Sequence, residues 1–69
     1  MSPDKLAYMA NQIGKFFVSQ KSEDGVASIA DHITKFWDPR MRRDFLAHLD
    51  EIQLDHIVRQ AAERLKTPA

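Results

Sequence analysis

The chain has 69 residues, no cysteine and a formal net charge of zero. That length supports one domain at most. The missing cysteine excludes disulfides and thiolate metal sites, and the balanced charge excludes the overall basic character of a general nucleic-acid binder. The first predicted helix opens at Ser2-Pro3, where serine can cap and proline suits the first helical position. Its apolar residues Leu6, Met9, Ala10, Ile13, Phe16 and Phe17 recur at the three-and-four spacing of an amphipathic helix. Gly14 interrupts this stripe, either to let another helix approach closely or by neutral drift. The stretch Ser19 to Gly25 has no apolar residue and reads as a loop.

Asp24 or Ser22 is the expected cap of a second helix, with Val26, Ile29, Ala30, Ile33 and Phe36 or Trp37 on its stripe. Asp38-Pro39 ends that helix. Proline lacks an N–H and holds the preceding residue out of helical geometry, so Asp38 is the natural cap and Pro39 the first position of a third helix. Met41, Phe45, Leu46 and Leu49 follow at helical spacing, and Asp50 or Asp55 is available to cap a fourth helix bearing Leu54 or Ile57, then Val58, Ala61, Ala62 and Leu65. The expectation is a single all-α domain over 1–69: an irregular array of three to four short helices at about 3–19, 25–37, 39–49 and 55–66, with a disordered tail at 67–69. Burying roughly 4,000 Å² of apolar surface contributes about 100 kcal/mol. Ordering the chain at about 1.5 kcal/mol per residue costs nearly the same, which leaves room for a partner to add stability.

Motifs of catalysis are missing. His32, His48 and His56 lie 16 and eight residues apart, which matches no local metal motif. His32 falls beside the second apolar stripe and reads as a helix-face or interface histidine. The two glycines are isolated, so no phosphate-cradling loop is formed. Asp50, Glu51 and Asp55 lack the spacing and glycine of a calcium loop. The chain is therefore expected to be non-catalytic, with no metal or cofactor of its own. The N-terminal residues carry no long apolar run and no stretch approaches 18 apolar residues, so neither a secretory signal nor a membrane association is expected, and the cytoplasm is the expected compartment.

Charge is unevenly placed. Residues 1–34 carry −1, residues 44–69 carry −2, and residues 35–43 carry +3 through Lys35, Arg40, Arg42 and Arg43 against Asp38. Tryptophan, methionine and arginine are enriched at the centres of protein interfaces. A partner-binding patch of Trp37, Asp38, Pro39, Arg40, Met41, Arg42 and Arg43, with His32 nearby, is the expected functional surface, and an acidic protein is its expected target. A helix-turn-helix reading of the proline-divided pair is weaker. Asp38 and Asp44 bracket the arginines and the flanks are acidic, so no nucleic-acid partner is expected.

The segments "MANQIGKFFVSQ" (Met9 to Gln20), "IADHITKFWDPRMRRDFLAHL" (Ile29 to Leu49) and "IVRQAAERL" (Ile57 to Leu65) resemble the delta-subunit family of NAD-dependent formate dehydrogenases, the FdsD-like family. "FWDPRMR" with the upstream Asp31-His32 is the most specific part, and the similarity covers nearly the whole chain. The resemblance implies a non-catalytic accessory subunit of a cytoplasmic molybdenum or tungsten enzyme that oxidises formate to carbon dioxide with NAD. It implies a large alpha subunit as principal partner, carrying bis-molybdopterin guanine dinucleotide and iron–sulfur clusters, with beta and gamma subunits carrying FMN, further clusters and the NAD site. It implies roles in fold and docking for Asp31, His32 and Phe36 to Arg42. The alternatives are a transient factor for molybdenum-cofactor maturation of that enzyme, or a small DNA-binding regulator. The sequence does not decide whether the isolated chain is monomeric, and the exposed rings leave a weak homo-oligomer open.

Overall fold

The computed structural model describes residues 2–20 and 24–66. The sequence expectations about Ser22 as a cap and about the tail at 67–69 lie outside them. Four helices account for most of the described residues: α1 Pro3–Ser19, α2 Gly25–Phe36, α3 Pro39–Ala47 and α4 His56–Lys66. No strand occurs among the described residues, and no helix is long and apolar enough to cross a membrane.

Local chemistry sets the helix starts. The Ser2 side chain accepts from the Lys5 N–H, Asp24 from the Ala27 N–H at 3.0 Å, and Asp38 from the Met41 N–H at 2.8 Å. Each bond satisfies a donor that the first turn leaves without a helical partner. At the start of α4 the Asp55 carbonyl accepts from the Arg59 N–H, the first bond of that helix. The third helix ends at Ala47, with the His48 N–H bonded back to the Phe45 carbonyl. Its stripe thus reaches Leu49 in a turn outside the helix.

The core joins all four helices. Leu6, Ala7 and Ala10 of α1 meet Ile29, Ala30 and Ile33 of α2, Phe45 of α3, and Val58, Ala61 and Ala62 of α4. Leu49 and Ile52, from the connection between α3 and α4, close one side. On α1 the covered seam is Leu6 followed by the small residues Ala7, Ala10 and Gly14, and the bulkier Met9, Ile13 and Phe17 are only half-buried. Gly14 explains the closeness. A Cβ placed there would stand 2.4 Å from Val58 Cγ2, so α1 and α4 touch where a methyl group does not fit. Of the two origins considered for this glycine, close helix approach is the one the structure supports.

Polar side chains tie down the connections. The Asn11 amide donates to the Gln53 carbonyl at 3.2 Å and accepts from the Asp55 N–H at 2.9 Å. Arg59 reaches the same segment from α4 and donates to the carbonyls of Leu49 and Ile52. These residues free the segment between α3 and α4 from needing a glycine or regular structure of its own.

Candidate functional site

The turn between α2 and α3 places the residues singled out from the sequence, and it divides them. The chain leaves helical geometry at Trp37, whose backbone is extended at φ −91° and ψ 139°. That change swings the indole beneath the corner. Trp37 is 5% exposed and packs on Phe45, whereas its neighbour Phe36 is 72% exposed. The expected exposed anchor is therefore a core residue, and the exposed ring at this corner is the one before it. A helical spacing carried through to residue 37 cannot show this, because the helix has ended there.

The arginines divide in the same way. Arg42 turns inward and its guanidinium donates to the carbonyls of Thr34, at 3.0 Å, and Trp37. These groups lie at the C-terminal end of α2, where carbonyls lack helical donors and a cation is favoured. Arg42 therefore builds the corner. It is also withdrawn from the base-reading role that a helix-turn-helix reading gives it. Arg40 and Arg43 are exposed, lie three residues apart on α3, and make no ion pair or hydrogen bond among the described residues. Asp38 and Pro39 are exposed beside them, and Met41 is half-buried against the core.

His32 joins a different group. Its ring lies 4.7 Å from that of Phe36 and 5.9 Å from that of Phe17, and Phe17 in turn meets Phe16 edge-on at 5.2 Å. Phe16, Phe17 and His32, with Gln12 and Ile13, border an open apolar groove of about 340 Å³ on the α1–α2 face, and Phe36 lies beside it against His32. Phe16 is 56% exposed. The pairing of Phe16 with Phe17 in the sequence signals one inward and one outward ring, and the structure turns Phe16 outward. The groove itself depends on the approach of two helices and has no signal in either segment alone. A second, polar cleft lies between Tyr8, Asp4, Asn11, Glu51 and Gln53, but the Asn11 amide there is already bonded to the chain.

Among the described residues no three or more of histidine, aspartate or glutamate gather where a metal ion could sit. The chain has no thiol to offer an iron–sulfur cluster. The surface instead offers two elements suited to a protein: a run of rings along one face and a pair of free guanidinium groups at the adjoining corner.

A family model described as "NADH-dependant formate dehydrogenase delta subunit FdsD" matches residues 5–62 of this sequence. Neither the curated proteins nor the solved structures contain a significant match. The matched span includes the groove, the corner and most of α4.

Proposed function

Because this chain belongs to the FdsD family of formate dehydrogenase delta subunits, we propose that it is a non-catalytic accessory subunit that docks on the large catalytic subunit and supports assembly, stability or activity of the complex. The molybdenum or tungsten cofactor, the iron–sulfur clusters, FMN and the NAD site belong in this reading to the alpha, beta and gamma subunits. The cytoplasmic setting is part of the same proposal and rests on the family.

One observation supports docking most directly. Arg40 lies in the first turn of α3, where the helix dipole disfavours a cation by about 0.3–1 kcal/mol, and it forms no ion pair with a carboxylate of the described residues. Arg43 stands on the same face, equally free. Side chains that give the isolated fold nothing, yet offer rigid forks for carboxylates, suit an acidic surface on another protein. In this corner Trp37 and Arg42 act from within, as positioning residues that set the angle between α2 and α3. Asp38 caps α3, and Pro39 with the edge of Met41 completes the outer surface.

The test is co-purification of the tagged chain with the other dehydrogenase subunits. We expect a fixed ratio in the mature, active enzyme. Arg40→Glu with Arg43→Glu should abolish co-purification while leaving the helical circular dichroism unchanged. A chain found only with cofactor-free catalytic subunit would instead be a maturation factor, and one that never meets any dehydrogenase component would refute both readings.

A further inference from the structure

We propose that the groove between α1 and α2 is the seat of an amphipathic helix of the catalytic subunit, one whose apolar stripe is bordered by carboxylates. This rests on the subunit reading above and assigns it a surface that reading does not contain. Phe16, Phe17 and Ile13 of α1 and His32 of α2 line the groove, and the exposed ring of Phe36 extends this apolar surface from the far side of His32. Large rings held outward on a chain of this size are an apolar patch of the kind that marks an interaction site. A groove between two helices, bordered by rings spaced along them, receives the i, i+3, i+4, i+7 anchors of an apolar helix face.

Charge at the rim selects the occupant. Lys15 lies three residues from Gln12 and next to Phe16, is exposed, and has no partner among the described residues. On the opposite rim Lys35 is neutralised by Asp31 at 2.9 Å. Beyond Phe36 the carboxylate of Asp38 holds the Met41 N–H, and Arg40 and Arg43 are free. Among these described residues Lys15, Arg40 and Arg43 outnumber the carboxylate of Asp38, so their uncompensated charge is positive. A second copy of this chain, meeting the same patch about a two-fold axis, would bring two surfaces of the same positive sign together. A helix with acidic borders would pair with them. Its footprint also fits, since a standard interface takes about 800 Å² from each partner, roughly a sixth of this molecule's 4764 Å².

The experiment uses the complex co-expressed with all its subunits. Phe16→Ser with Phe36→Ser should leave the isolated chain helical and weaken its retention about thirtyfold or more, as expected for central anchors. Lys15→Glu should weaken retention with the rings intact. A photo-crosslinking residue in place of Phe36 should capture the catalytic subunit, and it decides the matter if the double serine variant does not fold. Retention of both variants alongside the wild type, or capture of a second copy, overturns the groove assignment and leaves the subunit reading standing. Failure of the wild-type chain to be retained overturns both.

Discussion

Trp37 meets Phe45 edge to face, with ring centroids 5.3 Å apart and planes 77° from parallel. The contact joins the end of α2 to the last turn of α3 across the proline corner, and both rings lie in the core. Removing the indole leaves a cavity in a domain with little stability to lose. Trp37→Ala should cost about 3–5 kcal/mol and abolish the cooperative thermal transition. Phe36→Ala, one residue earlier but exposed, should change stability by no more than about 0.5 kcal/mol. Equal effects of the two substitutions in a urea titration would contradict the burial pattern.

Gly14 gives a second prediction. Alanine there gains about 1 kcal/mol of helix propensity, but its methyl would stand 2.4 Å from Val58 Cγ2. Valine is β-branched and cannot turn aside without leaving its rotamer, and overpacking of this kind costs about 1–3 kcal/mol. Gly14→Ala should lower the melting temperature by several degrees. At Gly25 the added Cβ meets the far end of Ile57 at 2.8 Å, which can rotate away, so Gly25→Ala should be the milder change. Val58→Ala should rescue Gly14→Ala in part, which a double-mutant cycle would measure.

Arg42 holds two carbonyls at the end of α2 with one guanidinium. Arg42→Ala should cost about 1–2 kcal/mol, discounted from the range for buried charged hydrogen bonds because one of the contacts is exposed. Arg42→Lys keeps the charge but loses the planar fork and should recover less than half of the loss. Loss of the corner should also speed hydrogen exchange at the C-terminal amides of α2 relative to those of α4. Uniform exchange across the helices would show that Arg42 does not hold the corner.

Asn11 offers a test at the connection between α3 and α4. Its amide bridges Gln53 and Asp55 just before α4 begins. Asn11→Ala should destabilise by about 1 kcal/mol, even though alanine is the better helix former. A stabilised variant would mean that water replaces the amide at no cost.

The all-helical class was legible in the sequence because apolar spacing and caps agree. Asp38-Pro39 marks a boundary by the chemistry of proline alone, and Asp38 duly caps α3. The inward turn of Trp37 was hidden. It follows from a backbone angle at a helix end, where a 3.6-residue period no longer says which way a side chain points. Arg42 and Asn11 were hidden for another reason, since their partners lie eight residues away and more than forty residues away. Asn11 did leave a trace: asparagine inside a strong apolar helix pattern is a poor helix former, and such a residue commonly serves a bond elsewhere. Of the corner patch, the sequence showed where the cations gather, but not which of them the fold itself would consume.

The tight seat of Gly14 against Val58 sets an order on biosynthesis. The earliest helix can close on its final neighbour only after α4 has been made, so a nascent chain still lacking α4 leaves the Gly14 surface of α1 without Val58 to cover it. Closure of the fold therefore waits on α4, and fragments ending before residue 58 should be protease-sensitive throughout.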